Sequence, residues 1–200
     1  VVPADMQFPT IPDELRRLFG PALTVRHDDP PDAPAAAIRV GVLGRDPALS
    51  AALLEAGEAA PLGSPSPDGY ILVVGRAADG APRILIAGNA ESGCFYAVQS
   101  LRQLTRPAPG GQAGWDVGLA RLRDWPSFRS RGIKRTAGWP DWMPAWKMNL
   151  AWHYTREGAW ETYPLLPDGP EKTQRRTEIR ALVDRFRARY IHLIVSSNPG

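Results

Sequence analysis

The chain has 200 residues, 44% of them apolar, and a formal net charge of +3. That is room for one large domain or two small ones, with a globular rather than a disordered composition. No run approaches the ~18 apolar residues of a membrane span, and the single cysteine, Cys94, excludes an internal disulfide and a cysteine-based zinc site.

The 21 prolines and 19 glycines cluster in connections, so the elements should be short and joined by stiff loops. Residues 12–19 (PDELRRLF) read as a helix with acidic residues in its first turn. A short strand is expected at 23–27 (LTVRH), then a proline-rich loop, then a strand at 37–43 (AIRVGVL), where apolar positions alternate. Asp46 can cap a helix over 47–57, with Pro47 at its first position. Residues 70–74 (YILVV) and 83–87 (RILIA) form two arms of a hairpin. Asn89 stands where it could cap the next helix, which carries Cys94, Phe95, Val98, Leu101 and Leu104 at helical spacing. Cys94 in that pattern reads as a buried, inert thiol. The order β-β-α-β-β-α, after a leading helix, predicts a small sheet with helices on one face.

A second pattern starts near Arg131, beyond a boundary around residues 120–129 that contains the extended pair Trp125-Pro126. It reads as a strand at 132–136, a helix at 142–148, a strand at 150–154, a long helix from Pro170 and a strand at 191–195. Ile179, Leu182, Val183 and Phe186 share one face of the long helix. The last strand, IHLIV, is continuous enough in apolar residues to be buried on both sides. Strands alternating with helices predict a parallel sheet. The basic pair Arg175-Arg176 and the run from Arg185 to Arg189 read as a solvated helix face, so no nucleic-acid partner is expected. No membrane partner and no metal or other cofactor is expected either, since His153 has no second ligand beside it. The stretch GNAESG (88–93) lacks the full dinucleotide fingerprint and the Walker lysine, and no Gly-x-Ser-x-Gly elbow occurs.

Three stretches together resemble one family. DGYILVV followed by RILIAGNAESGCFYAVQSLRQL resembles the small α/β domain that precedes the barrel of β-N-acetylhexosaminidases. RDWPSFRSRGI (123–133) resembles the linker into barrel strand one, and WKMNLAWHYTREGAW (146–160) resembles the second barrel strand and loop of glycoside hydrolase family 20. SSNPG (196–200) is similar to the turn after strand three in family 20 and in the hyaluronidase-like family 84. The resemblance implies an α/β protein in two parts: an accessory domain over 1–125, and the first three β/α units of a (β/α)8 barrel over 126–200. Complete barrels take ~250 residues, so the chain is expected to be the N-terminal portion of a longer glycosidase.

The family's reaction retains anomeric configuration without an enzyme nucleophile, an exception to the two-carboxylate scheme. The substrate's 2-acetamido oxygen attacks the anomeric carbon, one carboxylate stabilises that group, and a second acid protonates the leaving oxygen. That acidic pair follows barrel strand four, so no catalytic residue is assigned within these 200 residues. The resemblance does point to substrate-binding positions after strands one to three, where barrel sites lie. Arg135 is the nearest arginine past strand one, with fixed donors for sugar hydroxyls. His153 matches the family's His-Trp-His-Leu-Thr-Asp segment, and Arg156 stands at its aspartate, reversing the charge. Trp139 and Trp160 follow strand ends and offer faces to sugar C–H groups. Ser196, Ser197 and Asn198 could line the mouth, or simply form the turn before Pro199. The implied partner is a carbohydrate, on an enzyme that is often exported, and the composition fits a GC-rich bacterial genome. A non-catalytic carbohydrate-binding or interaction module is the alternative, supported by tryptophan density and the absent acids. A small nucleotide-binding α/β protein is a third reading, resting on strand–helix order alone.

Overall fold

The computed structural model describes residues 10–21, 23, 38–58, 62–111, 114–134, 139–154 and 167–196. The strand expected at 23–27 lies, beyond Leu23, outside them. The chain forms two compact units, Val1–Arg129 and Ser130–Gly200.

The first unit is built on a four-stranded sheet. Its strands are β1 (Ile38–Val42), β2 (Tyr70–Arg76), β3 (Pro82–Gly88) and, beyond a two-stranded ribbon of β4 (Thr105–Pro107) and β5 (Trp115–Val117), β6 (Ala120–Asp124). The order across the sheet is β1-β3-β2-β6, with β1 parallel to β3 and the other pairs antiparallel. The hairpin of β2 and β3 pairs Tyr70 with Gly88 and Val74 with Ile84. Its helices are α1 (Thr10–Phe19), α2 (Pro47–Glu55) and α3 (Glu91–Leu104). Asp46 caps α2 as expected: its Oδ1 accepts from the Leu49 amide at 2.9 Å, and Pro47 fills the first helical position.

The helices lie on both faces of the sheet, not on one. Leu49 and Leu53 of α2 pack on Ile71, Val73, Leu85 and Ala87. The opposite pleat carries Tyr70, whose hydroxyl meets Ser100 of α3 at 2.6 Å, and α1 packs on α3 with Ile11, Leu15 and Leu18 buried. The reason is in the strand itself. All five residues of YILVV are buried, which requires cover on both sides. Tyr70 also donates to Asp124 of β6 at 3.0 Å, so Ser100 donates to Tyr70 and one buried hydroxyl ties helix, central strand and edge strand.

Two other expectations change. Residues 120–124, read as part of the boundary, form the edge strand β6, where the exposed Arg121 and Arg123 stand beside Val73 and Ile71 on the α2 pleat, Arg123 pairs with Glu58 at 3.2 Å, and the two charges blunt the edge. Asn89 does not cap α3: Ala90 holds that position without a side-chain bond. Instead Asn89 Nδ2 donates to the carbonyls of Ser64 and Ser66 at 2.7 and 2.8 Å. GNAESG is therefore a clamp on the loop before β2. Gly88 and Gly93 belong to it because a Cβ at Gly88 would run into the Ala90 carbonyl and the Cys94 amide, and one at Gly93 into the Gly69 carbonyl.

The second unit is a parallel sheet in sequential order, β7 (Gly132–Lys134), β8 (Leu150–Tyr154) and β9 (His192–Ser196), with helix α4 (Pro170–Arg187) leading into β9. The helix expected at 142–148 is instead two 3-10 turns, Trp139–Asp141 and Met143–Trp146. The second ends in a Schellman turn: the Lys147 amide donates to Pro144 at 2.8 Å and the Met148 amide to Met143 at 3.1 Å, with Lys147 left-handed at φ 54°. That early stop delivers Asn149 to the start of β8. Asn149 Oδ1 accepts from the Arg131 amide at 2.8 Å and its carbonyl from His192 N at 2.8 Å, aligning the beginnings of all three strands.

One face of this sheet is covered. Ile133, Ala151 and Leu193 stand in register and pack with Met143, Phe186, Ile191 and Leu182. Of the α4 face read from the sequence, Phe186 is fully buried and Ile179, Leu182 and Val183 are half-buried. The other face is open: Trp152 and Ile194, neighbours in register, are each 45% exposed. The strand IHLIV is thus covered on one side, because α4 reaches one pleat only.

Candidate functional site

Parallel strands finish at one end of their sheet, so any group following β7, β8 or β9 emerges at a common rim. The register fixes that rim: Lys134 stands beside Trp152 and Ile194, His153 beside Val195, and Tyr154 beside Ser196. Arg135 is the next residue after β7, and Arg156 and Trp160 follow β8 by two and six positions. These three, with Ser197 and Asn198, lie outside the described residues. His153 has its backbone in β8, one position before the strand ends; its side chain lies outside the described set.

Trp139 opens the first 3-10 turn, and its side chain is likewise outside the described set. The backbone of that turn is held from the far side. Asp141 pairs with Arg185 at 2.5 Å and Arg189 at 2.7 Å, at the end of α4 from which the chain passes into β9. The structure therefore brings His153 to the rim by its strand position, and ties the Trp139 turn to the end of α4. Both ion pairs are partly exposed, so their weight is in positioning rather than in stability.

Trp152 of β8 is a further aromatic, outside the candidate site residues read from the sequence. It lies on the open pleat between Lys134 and Ile194, where an indole can meet the C–H face of a ring or the interior of a larger sheet. The sequence signal is the period of two in LAWHY, which puts Ala151 and Trp152 on opposite pleats; in the structure Ala151 is fully buried and Trp152 is not. Among the described residues, no group of three His, Cys, Asp or Glu side chains converges as a metal ion would need, and no helix is long and apolar enough to cross a membrane. Cys94 is fully buried in the first unit, and its thiol donates to the Gly41 carbonyl at 3.1 Å. Burial pushes its pKa up to about 12, so it is not a nucleophile at neutral pH.

The fold is a layered α/β domain joined to a parallel β/α unit, the class in which catalytic chemistry gathers at strand ends. The chain belongs to glycosyl hydrolase family 20: the family model for domain 2 matches residues 12–125. Among solved structures, the family 20 exo-β-N-acetylglucosaminidase from Vibrio harveyi, in complex with N-acetylglucosamine, has 16% identity and a TM-score of 0.56, covering 93% of this chain and 30% of its own. The family 20 β-N-acetylhexosaminidase from Streptomyces coelicolor A3(2) has 18% identity and a TM-score of 0.56, covering 92% of this chain and 38% of its own. The structure described as CpGH84B has 20% identity and a TM-score of 0.55, covering 75% of this chain and 26% of its own. At these identities the likeness is one of fold. The chain spans between about a quarter and two fifths of the length of these structures. No curated protein matches it.

Proposed function

We propose that the chain is the accessory domain, over 1–125, and the opening three β/α units, over 126–200, of a glycosidase barrel acting on N-acetylhexosamine-type glycosides. The observation that carries this is the sequential parallel sheet with one pleat open. Leu150, Trp152, Ile194 and Lys134 stand on the pleat that a closed barrel turns inward. Domain 2 of the family precedes that sheet in the chain.

In this reading Arg135, His153, Arg156 and Trp160 gather near the rim around the sugar, with Trp139 in the turn that Asp141 ties to the end of α4. The two acids that perform the chemistry follow a fourth strand beyond residue 200. The acetamido oxygen of the substrate forms the bond to C1 as the glycosidic bond breaks. The leaving oxygen takes a proton from one acid, and water later opens the cyclic intermediate with retention. A carboxylate that stays charged and one kept protonated divide these roles. Arg156 supplies positive charge where the family has aspartate, so it would favour a substrate carrying negative charge near that position.

The test compares two proteins on 4-nitrophenyl N-acetyl-β-D-glucosaminide: the 200-residue chain, and the chain extended through the sequence that follows it in the gene. Release of nitrophenol by the extended protein only, abolished by amide replacement of its two neighbouring acids, is the expected result. An extended protein without such a pair and without turnover would leave the alternative, a non-catalytic carbohydrate-binding module. The exposed Trp152 favours that second reading, and tryptophan fluorescence titration with N-acetylglucosamine would then report binding.

A further inference from the structure

The first unit holds a cavity of about 300 Å³ that the barrel reading does not use. It lies between α1, the end of α3 and the β4–β5 ribbon, and is lined by Glu14, Arg17, Arg102, Thr105 and Trp115. The buried Leu18 and Val98 supply its apolar wall. Its volume falls at the small end of ligand pockets, suited to one ring rather than an extended chain.

The polar groups are matched unequally. Glu14 is 8% exposed, and its Oε1 accepts from Arg17 at 2.7 Å. One carboxylate thus neutralises one guanidinium. Arg102 is exposed in the last turn of α3; its carbonyl accepts from the Thr105 amide, while its guanidinium makes no hydrogen bond or ion pair among the described residues. The cavity therefore has one uncompensated positive charge. The Thr105 hydroxyl donates to Leu101 O at 2.7 Å, which leaves its oxygen free to accept. Trp115 is 43% exposed and meets Phe19 edge-on, centroids 6.5 Å apart at 88°. In that geometry Phe19 covers at most one indole face.

A ligand matching all of these groups has a carboxylate for Arg102, hydroxyls for Glu14 and Thr105, and an apolar ring face for Trp115. We propose that this cavity binds an acidic monosaccharide unit, a hexuronate, with its carboxylate on Arg102 and its C–H face on Trp115. Carboxylate–guanidinium pairing supplies the selection for an acid, and stacking on the indole supplies the selection for a ring. All lining residues belong to the first unit, so the proposal stands or falls independently of the barrel reading.

The experiment is calorimetric titration of the full chain with sodium D-glucuronate, D-glucose and sodium acetate, with the Trp115 indole N–H followed by NMR. Saturable binding of glucuronate with a Kd of about 1–10 mM, and at least about tenfold weaker binding of glucose and acetate, is expected. Arg102→Gln, an exposed change that should leave the fold intact, should weaken glucuronate about tenfold. Trp115→Leu should weaken it too, with circular dichroism checking the fold. Arg180→Gln, on the exposed face of α4, should change nothing. No saturation by about 50 mM glucuronate, an unaffected Arg102→Gln variant, or equal binding of acetate would each overturn the proposal.

Discussion

Cys94 shows how one residue can be read from sequence and then given a physical consequence. Its place in an apolar helical pattern points to a buried thiol, and the structure adds the Gly41 carbonyl and a pKa pushed up to about 12, chiefly by desolvation. In the unfolded chain a thiol titrates near ~8.5. The folded state therefore holds the proton more tightly. This contribution to stability is complete below about pH 8.5 and is lost as pH rises toward and through about 12. Two outcomes follow. At pH 8 the native protein should react with a disulfide reagent at least about a hundredfold more slowly than the urea-unfolded chain. The stability advantage of wild type over Cys94→Ser should also shrink steadily above about pH 9, followed by urea denaturation. Rapid native labelling would show that α3 opens far more readily than its burial implies.

Elements were legible where one local rule decides them. The Asp46 cap, the hairpin of β2 and β3, and the buried Phe186 side of α4 each follow from a few neighbouring residues. Elements were misread where distant partners decide. YILVV is silent about which helix covers which pleat, and Asn89 looks like a cap until the loop carbonyls at Ser64 and Ser66 are in place. Residues 142–148 have helical spacing, but the turn at Lys147 stops them so that Asn149 can align three strands. Gly93 gives this reading a test. In an ordinary helix interior, Gly→Ala stabilises by up to ~1 kcal/mol. Here a Cβ would collide with the Gly69 carbonyl, a backbone atom that cannot swing aside. Forcing loop and helix apart costs about 1–3 kcal/mol, which outweighs the gain. Gly93→Ala should lower the thermal midpoint; a rise would mean that the loop before β2 is not clamped on α3.

At the scale of the whole chain, the two units manage their sheets differently. The first covers both pleats of β2 and β3 and protects its β6 edge with arginines. The second covers the row Ile133, Ala151, Leu193 and leaves Trp152 and Ile194, on the opposite pleat, partly open to solvent. The candidate site was the least legible part of the molecule for a related reason. Its residues stand at or beyond strand ends, where the sequence names residue types but a closed sheet would have to set their directions. An exposed indole and isoleucine side by side on a β surface are costly in water and favour association. The 200-residue chain should therefore self-associate as its concentration rises, seen by sedimentation velocity, and should bind an apolar dye. Ile194→Lys places a charge on the open pleat without touching the Ala151–Phe186 core. It should shift the chain toward monomer and reduce dye binding, while changing unfolding stability by no more than about 0.5 kcal/mol, as expected for an exposed position. In a chain extended far enough to close the sheet, the same substitution should instead destabilise by several kcal/mol, because the lysine would then be buried without a partner. If Ile194→Lys were equally harmless in both proteins, the open pleat would not be the inner face of a barrel.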